Sequence, residues 1–204
     1  MKLGILGTGY VARLLAAAWH KAGHDFTLGS RDPGSKQVDF PVKTLVEAAS
    51  SADIIINAIL GSAALETISS IDADAFADKT VIDVANALTP TADLVYPNAS
   101  LAEKLQEALP KAHIVKSMNT AAMALITNPG RIGPSSVFVS GNNAQAKAQT
   151  ADLLRDLGWT DDEIVDLGGI ESARGTEAYI MMLAALSGAL KTDALNIRVM
   201  RSEG

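Results

Sequence analysis

Short apolar runs separated by longer amphipathic stretches recur along this chain. Val, Ile and Leu dominate these runs, which cover residues 3–6, 26–28, 54–60, 81–84, 113–116, 137–140 and 164–167. Most of them are apolar at consecutive positions, as in strands covered by helices on both faces, because a strand with one wet face alternates polar and apolar residues. The pattern therefore predicts an α/β fold with a doubly wound parallel sheet.

Capping signals mark several helix boundaries between these strands. Thr44 and Ser100 are each followed three residues later by Glu, the spacing of a capping box at a helix start. Gly23 and Gly158 follow helical patterns where a left-handed terminating residue is favoured. We therefore expect a single domain over residues 1–204, with helices between most of the strands.

The last part of the chain, residues 170–204, predicts a helical C-terminal segment. Residues 170–190 are apolar around most of a helical circumference and rich in Ala, Gly and Ser. Such a pattern is typical of a helix buried on more than one side. We expect one side of this buried helix to lie against the domain and the other at a homodimer interface.

Composition and charge exclude several classes of partner. With a formal net charge of −6 and an isoelectric point near 5.0, the chain has no basic face for a nucleic acid. It contains no Cys, its start lacks the pattern of a signal peptide, and its longest apolar stretch falls short of the roughly 20 residues of a membrane span. We expect a cytoplasmic protein.

A glycine motif follows the first strand directly. It reads G-x-G-x-x-A and comprises Gly7, Thr8, Gly9, Tyr10, Val11 and Ala12 at the mouth of an amphipathic helix. The first glycine allows a tight turn, the second lets the backbone approach a pyrophosphate, and the alanine allows close packing of helix on strand. These small residues could merely turn a strand into a helix, but strand, spacing and helix together favour a Rossmann-type dinucleotide site.

The end of the second strand indicates which dinucleotide is bound. An NAD site would place an acidic residue here, whereas this chain has Ser30 and Arg31. A hydroxyl and a guanidinium suit a 2′-phosphate, and Thr8 and Lys36 could add to them, so NADP(H) is favoured. The carboxylate of Asp32 would repel a 2′-phosphate and so argues against NADP(H). The alternative interpretation is that Arg31 and Asp32 are simply solvated loop charges.

Amides and hydroxyls follow the later strands, at the edge where a doubly wound sheet binds its ligands. Candidate contacts to the cofactor there are Asn57, Ala58, Ile59, Asn86 and Asn119. Asn86, Asn119 and the neighbouring Thr120 are also candidates for the vicinity of the nicotinamide or the substrate. Turn formation or helix capping is the alternative for each Asn, and it is favoured for Asn57.

Missing residue patterns also discriminate between reactions. No Tyr has a Lys four residues later, so the acid pair of short-chain dehydrogenases is absent, and the His spacing indicates no metal site. We identify no catalytic acid or base. Hydride transfer to a flavin-like ring needs mainly alignment and suits such a site. Alternatives are a non-catalytic NADP(H) redox sensor and a small imine or carbonyl reductase.

Several segments together resemble the NADP-dependent reductases that use the 8-hydroxy-5-deazaflavin coenzyme F-420, a single-domain Rossmann family. They read GILGTG at 4–9, GSR at 29–31, VIDVAN at 81–86, VKSMNT at 115–120 and DLG at 166–168, all in family order. The resemblance implies NADP(H) as cofactor and F-420 or a flavin as a second substrate. Relatives with the same opening motif include ferric-reductase modules and imine reductases, so the second substrate stays open.

The resemblance also implies roles for individual residues. The positions that would hold the NADP phosphate are Thr8, Ser30, Arg31 and Lys36, and those near the nicotinamide and the deazaflavin are Asn119 and Thr120. At the start of the last helix, Arg174 and Glu177 lie one turn apart. A surface ion pair between them is the favoured interpretation, and contact with an anionic substrate is the alternative.

Overall fold

A computed structural model describes residues 1–35 and 38–202, and within them eight strands form one sheet. The strands are β1 (Lys2–Leu6), β2 (Asp25–Ser30), β3 (Val42–Thr44), β4 (Ile54–Asn57), β5 (Thr80–Asp83), β6 (His113–Ser117), β7 (Val137–Gly141) and β8 (Ile164–Asp166). The helices are α1 (Tyr10–Lys21), α2 (Leu45–Ser50), α3 (Gly61–Ser69), α4 (Leu101–Ala108), α5 (Met123–Ile126), α6 (Ala144–Asp156) and α7 (Ala173–Leu190).

The order of the strands is β3-β2-β1-β4-β5-β6-β7-β8, and the first six in this order are parallel. This is the order of a Rossmann-type sheet, so the predicted fold class is confirmed. β7 is antiparallel to β6, and β8 is parallel to β7, so the last two strands run in the opposite direction. The connection from β6 to β7 contains the four-residue α5 and no long crossover helix, which a parallel pair would require.

Apart from small shifts at the ends of elements, two local features differ from the sequence prediction. The apolar run covers residues 54–60, but the strand β4 already ends at Asn57. The Asn57 side-chain oxygen accepts a hydrogen bond from the Ile59 amide, which turns the chain out of the strand. β3 was not predicted, since it is only three residues long and mostly exposed. The capping box of Thr44 and Glu47 is present in full at the start of α2.

Helices cover both faces of the sheet and create two apolar layers. One layer includes Trp19 of α1, which is fully buried and donates its indole N–H to the Leu153 carbonyl oxygen of α6. The other layer lies on the opposite side of the sheet and includes Phe76 and residues of α2, α3 and α4. Continuous apolar strands are therefore buried on both faces, as their pattern predicts.

The predicted C-terminal helix is present as α7, but it is shorter and less buried than expected. It ends at Leu190 and is followed by residues without regular structure, one of which, Ile197, accepts a backbone hydrogen bond from Ser136. Ala173 in the first turn is buried, whereas Met181 and Met182 are 46% and 52% exposed. Within the described ranges, no helix combines the length and hydropathy that a membrane crossing requires.

A single row of the sheet carries unusual side chains at its carboxyl-terminal edge. The strand register places Leu6 opposite Asn57, Asn57 opposite Asp83, and Asp83 opposite Lys116. An amide, a carboxylate and an ammonium group thus stand next to each other on three adjacent strands. All three polar residues are buried.

Candidate functional site

The turn between β1 and α1 has a conformation that requires glycine. Gly7 has a φ of 126°, and a Cβ atom there would lie 2.6 Å from the Ala58 carbonyl oxygen. Its amide donates a hydrogen bond of 2.9 Å to the Gly29 carbonyl oxygen of β2. The turn is therefore packed tightly against the end of β2 and the loop that follows β4.

The second glycine of the turn leaves space in front of the helix. Gly9 has ordinary extended geometry, and apart from Gly9 and its two chain neighbours no described residue places an atom within 4 Å of the position that its Cβ would occupy. Gly9 is the N-cap of α1, and no side chain caps the helix. The first amides of α1 and the positive end of its dipole are thus available to an anion, and this cradle fits the pyrophosphate of a dinucleotide.

Two adjoining cavities lie at this edge of the sheet. The first, of about 410 Å³, is lined by residues that include Thr8, Ser30 and Arg31, and we call it the β2 cavity. The second, of about 380 Å³, has walls that include Asn86 and Asn119, and we call it the β6 cavity. Both cavities share Gly9, Ala58, Ile59 and Leu60 as lining residues, so an extended ligand could span them.

The β2 cavity offers a hydroxyl and a cation at one end. Ser30 is 6% exposed, and its hydroxyl oxygen accepts a hydrogen bond of 3.1 Å from the Asp32 amide. Arg31 is exposed and forms no ion pair with residues 1–35 or 38–202. Asp32 lines the same cavity, and Lys36 lies outside the described residues.

A pair of asparagines joins two loops at the wall of the β6 cavity. The Asn86 side-chain amide donates to the Asn119 backbone oxygen over 2.8 Å, and the Asn119 side-chain amide donates to Asn86 Oδ1 over 2.9 Å. Met118 has a left-handed φ of 60° and turns the chain between β6 and Asn119. The two loops therefore hold each other, and they present amide groups to an otherwise mostly apolar cavity.

Comparison with known proteins identifies the family. A family model described as "NADP oxidoreductase coenzyme F420-dependent" matches residues 2–87. A crystal structure of a candidate F420-dependent NADP reductase from Arthrobacter sp. FB24 is 35% identical, with a TM-score of 0.92, and the match covers 98% of this chain and 100% of that one. The chain belongs to the family of coenzyme F420-dependent NADP oxidoreductases. The family and the relatives of this chain are NADP-dependent oxidoreductases, which confirms the predicted class of enzyme.

Curated relatives of this oxidoreductase fall into two groups. The F420-dependent NADP reductase of Methanocaldococcus jannaschii is 24% identical over 163 residues, which cover 77% of this chain and 72% of that protein. The metalloreductase STEAP3 of Rattus norvegicus is 34% identical over 190 residues, which cover 89% of this chain and 37% of that protein. The chain thus spans little more than a third of the length of the metalloreductases.

Three of the residues predicted at the cofactor or substrate site are buried and are not among the lining residues of either cavity, and they are Ala12, Asn57 and Thr120. Asn57 is fully buried, and its amide donates to Asp83 while its oxygen accepts from Ile59, so it supports the 58–60 loop from behind. We therefore correct Asn57 from a cofactor contact to a supporting residue. Thr120 is 1% exposed, and its hydroxyl has no hydrogen-bond partner in the described part of the chain.

The charges at the start of α7 have partners that the sequence did not predict. Glu177 is 3% exposed and forms an ion pair of 2.8 Å with Lys116. Arg174 lies 2.6 Å from a carboxylate oxygen of Glu103, and this ion pair lowers the pKa of Glu103. The predicted ion pair between Arg174 and Glu177 is therefore wrong, and neither residue is among the lining residues of the β2 or the β6 cavity.

Sequence reasoning did not single out Lys116 of this oxidoreductase as a functional residue. Burial is the largest influence on its ammonium group and opposes the charge, but the carboxylates of Asp83 and Glu177 outweigh it and raise the pKa of Lys116. A signal was available in the sequence, because Lys116 ends an apolar run whose side chains are expected to be buried, and a buried Lys requires anionic partners. Asp83 interrupts the preceding apolar run, and the same argument applies to it.

We predict that Gly9→Val blocks the cofactor without harming the fold. Space around the Cβ position should keep the urea midpoint of unfolding near that of the wild type, whereas the side chain would occupy the approach to the α1 amides. We expect NADPH affinity, measured by fluorescence titration, to fall at least about tenfold. Gly7→Ala should instead lower the midpoint, because its Cβ would meet the Ala58 oxygen. Unchanged NADPH affinity in the Gly9 variant would contradict the cradle.

Proposed function

We propose that this enzyme transfers hydride between NADP(H) and a flavin-like or deazaflavin partner. The observation that carries the proposal is the chemistry of the β6 cavity. Its walls are apolar apart from the Asn86 and Asn119 pair, and Tyr10 is the only titratable side chain among the described residues that line it. An aligned planar ring can exchange hydride there without an acid or base from the protein.

The β2 cavity would hold the adenosine half of NADP(H). The amides of α1 would bind the pyrophosphate, as their position behind Gly9 allows. Ser30 and Arg31 would hold the 2′-phosphate, with Thr8 beside them and Lys36 as a further candidate. Ala58 and Ile59, which line both cavities, would contact the middle of the bound cofactor. A cytoplasmic location and a single-domain organisation stay predictions.

The β6 cavity would hold the nicotinamide and its redox partner. Asn86 and Asn119 would orient the carboxamide, and Thr120 would lie near the nicotinamide or the substrate. With NADPH bound there, the cofactor would supply a hydride, with both electrons, to the partner ring, and any further proton for the partner would come from water. The residues of the chain act by holding two rings in contact and by excluding solvent between them.

We predict that Arg31→Ala lowers the affinity for NADPH far more than the affinity for NADH. A charge-assisted bond to the 2′-phosphate is lost only for NADPH, so its affinity should fall about tenfold to a hundredfold while NADH affinity changes little. Isothermal titration with both nucleotides measures the difference. Arg131→Ala is the matched control, because Arg131 is exposed and lines neither cavity. Equal losses for NADPH and NADH in Arg31→Ala would contradict the clamp.

We predict that the redox partner is a planar ring system of the flavin or deazaflavin type. Stopped-flow mixing of the NADPH-loaded enzyme with coenzyme F420, FMN, FAD, a cyclic imine and a keto acid measures which compounds oxidise the cofactor. Fast oxidation by F420 or a flavin is the expected result, because the cavity provides alignment and none of its described lining residues is a strong proton donor. Oxidation by the imine or the keto acid alone would contradict the proposal.

We also propose that the enzyme is a homodimer assembled through α7. From residue 178 to its end, this helix carries no charged side chain, and Met182 and Leu190 are 52% and 62% exposed. A helix with apolar residues on its solvent side is typical of an interface between subunits. A second copy of the chain is a suitable partner because the same apolar face is then covered in both subunits.

Sedimentation velocity tests the dimer. We predict that the wild type sediments as a dimer at micromolar concentration and that Met182→Glu shifts it toward the monomer, because a buried carboxylate without a partner is costly. Val46→Glu is the control, since Val46 is 49% exposed on α2 and should leave the assembly unchanged. A monomeric wild type would contradict the proposal.

A further inference from the structure

All three N–H groups of the Lys116 ammonium are used inside the protein. Its Nζ atom lies 2.8 Å from Asp83 Oδ2 and 2.8 Å from Glu177 Oε1, and it also donates to the Ala85 carbonyl oxygen. The Lys116 side chain is 1% exposed. Since a Lys ammonium has three donors, the group is fully satisfied by β5, by the loop that follows β5 and by α7.

Stability alone is a weak explanation for this arrangement. Removing three charged groups from water is costly, and buried ion pairs often stabilise a fold no better than apolar side chains of similar volume. The cluster also carries one more negative charge than positive charge. The start of α4 compensates part of this excess negative charge. The Leu101 and Ala102 amides at its positive end donate hydrogen bonds of 3.0 Å and 3.4 Å to the Glu177 carboxylate.

The contacts of the cluster lead to the walls of the β6 cavity. Lys116 holds the Ala85 carbonyl oxygen, and Asp83 Oδ1 accepts from the Ala85 amide over 3.2 Å. Residue 85 is therefore held from both sides, directly before Asn86. On α7, Glu177 lies one turn before Ile180, which lines the same cavity. Lys116 itself does not line the cavity.

A second branch of the cluster reaches the loop between the cavities. Asp83 Oδ1 also accepts from the Asn57 side-chain amide over 2.8 Å, and Asn57 Oδ1 accepts from the Ile59 amide over 3.2 Å. The 58–60 loop, the 85–86 segment and α7 therefore depend on one group of buried charges. Ser30 and Arg31, at the other end of the β2 cavity, have no contact with this group in the described ranges.

We propose that Lys116 is a positioning residue, which holds the Ala85–Asn86 segment and helix α7 at the spacing that the nicotinamide end of the site requires. It acts through Asn86 and the Asn119 amide bonded to it, without touching cofactor or substrate. The proposal rests on the proposed function, because it assigns the nicotinamide to the β6 cavity. It predicts that removing the ammonium weakens the binding of the nicotinamide half of the cofactor and leaves the binding of the adenosine half almost unchanged.

Lys116→Met tests this separation, because it keeps the length of the side chain and removes the donors. Affinity for 2′,5′-ADP, which occupies only the adenosine half, should stay within about twofold of the wild type in calorimetry. The gain in affinity from 2′,5′-ADP to NADPH should shrink, and kcat should fall about tenfold to a hundredfold because the rings are misaligned. Transfer from C4-deuterated NADPH should also lose its selectivity for one face of the ring.

A second variant provides the same test if Lys116→Met does not fold. Lys116→Met leaves two carboxylates facing each other, whereas Lys116→Met with Glu177→Gln restores the original net charge of the cluster. We expect this double variant to fold and to show the same separation between 2′,5′-ADP and NADPH. Lys79→Met is the matched control, because the Lys79 ammonium also donates to two backbone oxygens, those of Ala49 and Ser50, but lies in neither cavity wall.

Three results would overturn the proposal. The first is a folded double variant with wild-type kcat and face selectivity, and the second is an equal loss of 2′,5′-ADP and NADPH affinity. The third is a Lys79→Met enzyme that loses kcat as strongly as Lys116→Met, which would indicate a general effect of lost stability. The binding comparison needs no redox partner, so it still decides the role of Lys116 if no acceptor oxidises the cofactor and the proposed function fails.

Discussion

The parallel register of β1, β4, β5 and β6 is the constraint on which the site depends. It places the carboxyl ends of these strands at one edge and aligns Asn57, Asp83 and Lys116 in one row. The loops that follow β4 and β5 are then held by side chains of this row, Asn57 on one and Asp83 and Lys116 on the other. The cavity walls are loops, but their anchors are strand residues, so their geometry is set by the most rigid part of the fold.

The two halves of the site are built in different ways. On the β2 side, backbone geometry dominates: the turn at Gly7 and the uncapped start of α1 create an anion cradle, and a few polar side chains surround it. On the β6 side, side chains dominate, because the Asn86 and Asn119 pair joins two loops. The first arrangement fits the pyrophosphate group of a dinucleotide. In the proposed function, the second arrangement sets how the nicotinamide ring lies, which is the main demand of hydride exchange.

Helix α7 connects this site to the outer surface of the subunit. Its first turns are held to α4 and β6 by Arg174 and Glu177, and Ile180 reaches the β6 cavity. The remainder of the helix turns apolar side chains toward solvent. One element thus combines a buried ionic anchor, a cavity wall and a candidate subunit interface. A change at any of these three places therefore has a physical route to the other two.

The sequence by itself determined the features that depend on neighbours along the chain. The apolar runs predicted the strands and the α/β class, the glycine spacing predicted the turn before α1, and the Ser30–Arg31 pair predicted NADP. Only the tertiary structure decided the reversed direction of β7, the supporting place of Asn57 and the partners of the buried charges. Lys116 meets Asp83 across 33 residues and Arg174 meets Glu103 across 71. Hydrophobic periodicity and turn residues act within a few positions, whereas such pairings follow from strand order and helix docking, which local patterns do not encode.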